Sequence, residues 1–207
     1  MRRIIPATSL VVVLVLSGIG GPVYSQSKKG DPNDVVMELI GQTITPSASS
    51  SVQYGYASYV NGVDTIFNGS PGDETKALFT FYNDTTNTQV LNTGPLRVVN
   101  RVGTATIYFN PSGGASFNDP NSFRIGTPVM VATLRMQLIV DTLNTPNTFT
   151  ATFVLTVTDV NYFQLDDQNH HIGRIGQKLR LTFFGRFNAT PPPATNIAGF
   201  VVGGDWR

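Results

Sequence analysis

Residues 149–158, with the sequence FTATFVLTVT, alternate almost strictly between apolar and polar side chains. Phe149, Ala151, Phe153, Leu155 and Val157 fall on one side, and threonines fill most of the other. Successive side chains of a β-strand point to opposite faces of the sheet. The segment is therefore predicted to be a strand with one buried and one solvated face.

The same alternation recurs along most of the chain. Nine segments carry it: 35–44, 52–60, 76–82, 96–102, 104–109, 130–142, 149–158, 178–187 and 197–202. Turn-forming runs rich in Gly, Pro and Asn separate these segments, and no apolar stripe of helical period and length interrupts them. The sequence predicts an all-β domain that forms one antiparallel β-barrel of about eight to nine strands, since closure leaves no exposed edge. A two-sheet β-sandwich would show the same local pattern and is the alternative.

The N-terminus has the features of a signal peptide. Arg2 and Arg3 precede the apolar stretch 10–16, and Val23 and Ser25 occupy the −3 and −1 positions of a plausible cleavage site. The apolar stretch is too short to span a bilayer as a helix, which takes about 20 residues. We therefore expect a secreted or periplasmic protein without a transmembrane helix in the mature chain.

These features divide the chain into four parts. Residues 1–25 are the predicted signal peptide and residues 26–34 a polar leader. Residues 35–190 hold the antiparallel β domain. Residues 191–207 begin with a proline-rich tract and are predicted to cross over into a C-terminal strand or to form a tail.

The composition excludes several classes of function. The chain has 14 basic and 13 acidic residues, and removal of Arg2 and Arg3 leaves a formal charge of −1. A nucleic-acid partner would need a basic patch, so none is expected. The absence of cysteine excludes disulfides, thiol chemistry and thiolate metal sites, so burial of apolar surface must hold the fold.

The densest polar cluster is residues 166–171, DDQNHH, which contains both histidines of the chain. It is either a metal or acid–base site or the hydrophilic tip of a hairpin. Adjacent histidines on a strand point to opposite faces, and the acidic residues lack the spacing of a calcium loop. We favour the hairpin tip and predict neither a metal site nor a cofactor. No nucleophile elbow or phosphate-binding loop is present elsewhere in the sequence.

The candidates for a binding site are Tyr54, Tyr56, Arg97, Arg101 and Arg135. Tyr54 and Tyr56 share one face of a strand and would either line a ligand pocket or pack in the core, and packing is favoured. Arg97 and Arg101 also share a face. Inside a barrel they would form a polar site that needs acidic partners, but the apolar opposite faces favour an outward orientation.

The sequence is compatible with three functions. The first is an exported non-catalytic β-barrel module that binds an apolar small molecule or a cell-surface component. The second is a cofactor-free isomerase or cyclase that uses Tyr, Arg and Asp side chains. The third is a structural envelope protein or a small outer-membrane barrel, whose strands would alternate in the same way. The sequence leaves the oligomeric state open.

Overall fold

The computed structural model describes residues 34–70, 72–143, 147–187 and 195–203. The predicted signal peptide, 1–25, and all of the leader except Asp34 lie outside the described residues. Residues 191–194 and 204–207 of the C-terminal segment lie outside them as well. No helix in the described part of the chain is long and apolar enough to cross a membrane.

Eight strands form a closed antiparallel barrel, and two short strands form a separate hairpin. The strands are β1 (Val35–Ser47), β2 (Ser50–Val60), β3 (Phe79–Thr93), β4 (Leu96–Phe109), β5 (Thr127–Asp141), β6 (Thr148–Val160), β7 (Phe163–Leu165), β8 (Gln168–His170), β9 (Lys178–Arg186) and β10 (Thr195–Val202). Around the barrel the order is β1-β10-β9-β6-β5-β4-β3-β2, and β7 pairs only with β8. The prediction of a single antiparallel barrel is confirmed. The C-terminal strand β10 closes it by pairing with both β1 and β9.

Two strand predictions in the middle of the chain are wrong. Segments 96–102 and 104–109 are one continuous strand, β4, which runs through Gly103 without a break in its pairing to β5. The segment predicted at 76–82 begins at Phe79 and continues to Thr93. Its polar second half, from Asn83 onward, lacks the apolar alternation, but it pairs with β4 and so remains a strand.

The interior of the barrel has two different halves. In the half near the start of β1, apolar side chains such as Met37, Leu39, Ile107 and Leu181 fill the space and leave a void of about 10 Å³. That void is at the lower limit for one water molecule. The other half lies towards the β1–β2, β3–β4 and β5–β6 turns, and it is not filled.

Three phenylalanine rings separate the two halves. Phe81 stacks on Phe183 at 5.6 Å between ring centroids, and Phe153 meets Phe183 edge-on at 5.7 Å. Gly41 and Gly55, which face each other in the β1–β2 ladder, make room for Phe81. A Cβ atom at either glycine would lie 2.8 Å from the Phe81 ring. The glycines therefore allow this aromatic layer to span the barrel.

A segment on the outside covers the β2–β3 wall. This strap, residues 115–124, ends in a 3₁₀ helix, Pro120–Arg124, whose first turn is capped by Asp119. Within the strap, Phe123 is fully buried, and its carbonyl oxygen accepts a hydrogen bond of 2.9 Å from Thr80 Oγ1 of β3. The strap gives the barrel a second, smaller apolar cluster outside its wall.

Candidate functional site

The unfilled half of the barrel interior is a cavity of about 320 Å³. It lies at the end where the β1–β2 and β5–β6 turns meet, and Phe153 and Phe183 are at its base. This volume falls at the lower end of the range typical of small-molecule sites, about 300–1,000 Å³. The cavity is therefore the candidate binding site.

The cavity has a polar side and an apolar side, and each belongs to a different part of the barrel. Strands β1 to β4 provide nearly all of the polar side: Thr43, Thr45, Ser51, Gln53, Asn87, Arg97 and Arg101. Strands β5, β6, β9 and β10 provide the apolar side: Met136, Leu138, Val140, Phe149, Ala151, Phe153, Phe183 and Ile197. These two strand sets occupy opposite arcs of the barrel. A bound molecule would thus meet hydrogen-bonding groups on one side and hydrocarbon on the other.

Arg101 is the buried charge of the polar side. It is 8% exposed, and its Nε donates a hydrogen bond of 2.8 Å to Asn87 Oδ1. Burial, together with the positive charge of Arg97, lowers the pKa of Arg101. None of the described residues that line the cavity is Asp or Glu. Among the described residues, the cationic side chain is therefore hydrogen-bonded to a neutral amide and faces no carboxylate in the cavity, which is an energetically costly arrangement.

The outward orientation favoured for Arg97 and Arg101 is wrong. Both side chains line the cavity, as does Val99 between them, so this face of β4 points into the barrel. Arg97 is exposed at the mouth and Arg101 lies deeper. Inward arginines are possible because the inward face of β4 lines the unfilled cavity from Arg97 to Arg101 and enters the packed half only from Ala105 onward.

Gln53 adds a second buried polar group to the cavity. It is 2% exposed, and its Nε2 donates a hydrogen bond of 2.8 Å to Ser51 Oγ. Its Oε1 has no partner among the described residues, and neither has Nδ2 of Asn83, the residue directly opposite on β3. A buried polar atom without a partner costs about 1–3 kcal/mol. This pair marks the boundary between the cavity and the packed half.

The tyrosine candidates lie elsewhere. Tyr54 and Tyr56 project from the outer face of β2, where the strap covers them. Tyr54 contacts Phe123 at 5.2 Å between centroids, and its hydroxyl donates a hydrogen bond to Gln42 Oε1. Burial raises the pKa of both tyrosines, and Tyr82 adds to the rise at Tyr54. They pack the strap onto the barrel and do not line the cavity.

Arg135 is also separate from the cavity. It is exposed on the outer face of β5, between Leu134 and Met136, which are buried inside. Of the five candidates, Arg97 and Arg101 line the cavity, whereas Tyr54, Tyr56 and Arg135 do not.

The cluster at 166–171 forms the tip of the small hairpin at the opposite end of the barrel. Asp166 and Asp167, with φ of 50° and 60°, make the two-residue turn between β7 and β8. His170 stacks on Phe163, whereas His171 meets Tyr162 edge-on, so the two imidazoles face different neighbours. In the described ranges no three His, Asp or Glu side chains are grouped as metal ligands would be.

Comparison of the chain with protein-family models, with curated proteins and with solved structures found no match. The site must therefore be interpreted from its own chemistry.

Sequence reasoning missed Gln53, Asn87 and the phenylalanines at the base of the cavity. A signal for the polar side was present in β3. Its inward positions change from phenylalanine, at 79 and 81, to Asn83, Thr85 and Asn87 along the same face. Such a change on a face that is apolar at one end indicates a barrel interior that becomes polar.

Arg101→Met is expected to raise the free energy of unfolding of the ligand-free protein by about 1–2 kcal/mol, because it removes a buried charge without a carboxylate partner. The corresponding rise in Tm is about 2–4 °C per kcal/mol for a chain of this size. Thermal unfolding followed by circular dichroism measures it. Arg135→Met removes an exposed charge from the next strand and is the matched control, with an expected change within about 0.5 kcal/mol. A clear loss of stability in Arg101→Met alone would show that its bond to Asn87 outweighs the cost of burial.

Proposed function

We propose that this protein is an exported, non-catalytic β-barrel that binds a small molecule with an apolar body in the cavity above its phenylalanine layer. The observation that carries the proposal is the cavity itself, about 320 Å³ of space inside an otherwise packed barrel. A barrel of eight strands is just wide enough for side chains to fill it or for one small ligand. Here the side chains fill only half of the interior.

The lining favours binding over acid–base catalysis. The titratable groups among the described lining residues are Arg97 and Arg101. A guanidinium group has five N–H donors and no acceptor, so it does not serve as a general base. An isomerase or cyclase that moves a proton would need a group whose pKa lies near the operating pH. The tyrosines considered for that role lie outside the barrel wall.

The proposal predicts binding of a neutral apolar probe, N-phenylnaphthylamine, whose fluorescence rises on leaving water. Expression of the full chain is expected to deliver a protein that begins at Gln26 to the periplasm or medium, which an intact mass would verify. Titration of that protein should give saturable binding. Ala151→Phe, which places a ring in the cavity, should weaken the binding at least about tenfold.

Two further variants complete this experiment. Thr152→Phe adds the same ring to the outer face of β6 and should leave probe binding unchanged. Thr45→Trp narrows the mouth at an exposed position, so it blocks the cavity even if Ala151→Phe does not fold. Absence of binding to the unmodified protein, or equal binding by folded blocking variants, would overturn the proposal.

A further inference from the structure

We infer that the ligand of this cavity is an amphipathic anion, a carboxylate with a hydrocarbon body, whose head group binds at Arg101 and Arg97. The inference rests on the proposed function and specifies the class of ligand. It depends on four features of the cavity, namely the bonding of Arg101, its repulsion by Arg97, the amide of Gln53 and the separation of polar and apolar lining.

The bonding of Arg101 leaves it ready to accept an anion. Its guanidinium carries five N–H donors, of which Nε alone is hydrogen-bonded within the described part of the chain. Asn87 supplies that acceptor and has no charge. A carboxylate matches the planar guanidinium and accepts two parallel hydrogen bonds from it. Such a ligand would supply the opposite charge that the described lining lacks.

Arg97 strengthens this preference. It lies on the same inward face of β4 as Arg101, and the repulsion between the two contributes to the lowered pKa of Arg101. One anion near both side chains would replace this repulsion by two attractions. Because Arg97 is exposed at the mouth, it would also attract an anion before the anion reaches the buried site.

Gln53 adds a buried amide to the polar side of the cavity. This side chain is 2% exposed, and its Oε1, like Nδ2 of Asn83 opposite it, has no partner among the described residues. The hydroxyl of Ser51 both donates and accepts, so either orientation of the Gln53 amide keeps their hydrogen bond. One of those orientations leaves an N–H donor for an anion.

The apolar arc of the cavity accounts for the body of the ligand. Phe149, Phe153 and Leu138 lie on strands opposite the polar arc, and their burial of a hydrocarbon chain would supply the non-specific part of the affinity. An inorganic anion would leave this surface uncovered. An uncharged hydrocarbon would leave Arg101 buried without a counter-charge. Only a molecule with both parts satisfies both sides.

The test compares three molecules with the same hydrocarbon chain, namely decanoate, decanol and decylammonium, as competitors of N-phenylnaphthylamine at neutral pH. Decanoate should displace the probe at least about tenfold more effectively than decanol, and decylammonium should be the weakest. Arg101→Met should bring the ratio of decanoate to decanol affinity close to one. Arg97→Met should also reduce that ratio. It provides the test if Arg101→Met does not fold. Arg135→Met, which removes the same charge from the outer face, should retain the full preference.

The outcomes separate the two proposals. If decanol or decylammonium competes as well as decanoate, the anion inference is overturned while the cavity still binds an apolar molecule. If Arg135→Met abolishes the preference as fully as Arg101→Met does, the effect reflects net charge, and the assignment to Arg101 fails. If the unmodified protein does not bind the probe, the proposed function fails together with the inference.

Discussion

Replacement of Phe153 by alanine is expected to lower the free energy of unfolding by about 3–5 kcal/mol. Phe153 has no solvent exposure and contacts Phe183 edge-on, so it holds the layer between the packed half of the barrel and the cavity. Alanine removes the ring and leaves a space that the curved wall of a closed barrel can only partly fill. Denaturant unfolding followed by far-UV circular dichroism measures the loss, and Tm should fall by on the order of 10 °C.

Val154→Ala is the control for this prediction. Val154 is the next residue of β6 and is 44% exposed on the outer face. Its truncation removes apolar atoms from the surface and should cost less than about 1 kcal/mol. Equal losses at the two positions would show that the phenylalanine layer does not support the barrel.

Gly103→Ala is expected to destabilise the protein by about 3 kcal/mol, which is large for the addition of one methyl group. A Cβ atom at Gly103 would lie 1.8 Å from the carbonyl oxygen of Asp84 and 3.0 Å from Cα of Thr85. Both are backbone atoms of β3, so the clash is relieved only if β3 and β4 move apart. Where the backbone conformation and the surrounding space accept alanine, a glycine-to-alanine change stabilises a protein by about 0.4–1 kcal/mol through the unfolded chain. The sign of the effect therefore reports the close approach of the strands.

Thr104→Ala provides the comparison on the same strand. Thr104 is exposed, and its replacement tests only the lower β propensity of alanine, a difference of about 1 kcal/mol or less. Unfolding curves of both variants, measured together, should differ clearly in their midpoints. A Gly103→Ala variant as stable as the original protein would mean that β3 and β4 are farther apart at this point.

The predicted stabilities and the proposed binding have the same physical origin. A closed barrel stabilises itself by filling its interior, as it does around Phe81 and Leu181. Above the phenylalanine layer the barrel interior instead carries Arg101 on β4 and Gln53 on β2, which are costly to bury without partners. The increase in stability expected for Arg101→Met and the loss of anion preference expected for the same variant would together identify a residue maintained for binding.

Much of the fold follows from local patterns. The alternation in residues 149–158 and 130–142 predicts β6 and β5. Successive side chains of a strand point to opposite faces, so the alternation is visible in the sequence without knowledge of the neighbouring strands. The β3–β4 turn at Gly94 and Pro95 is one of the glycine- and proline-containing runs that separate the predicted segments. The second half of β3 was not predicted, because its residues are polar on both faces and are held in the strand by their ladder with β4.

The candidate site was predictable only in part. Sequence reasoning paired Arg97 with Arg101 on one face, which is correct. It also paired Tyr54 with Tyr56, and these are buried together as well. It did not establish on which side of the barrel wall either pair lies. For the tyrosines, the answer depends on the strap, which covers them from a distant part of the sequence.

The all-β class, the course of most strands and the side chains that share a face can be predicted from residue patterns, because these properties depend on neighbours one and two residues apart. Which face is interior, and where the filling of the interior stops, follows from the closed barrel. Both depend on the closure of β1 against β10 and on a layer formed by Phe81, Phe153 and Phe183 from three separate strands. Such contacts join residues far apart along the chain, so the alternation within any one strand carries no information about them.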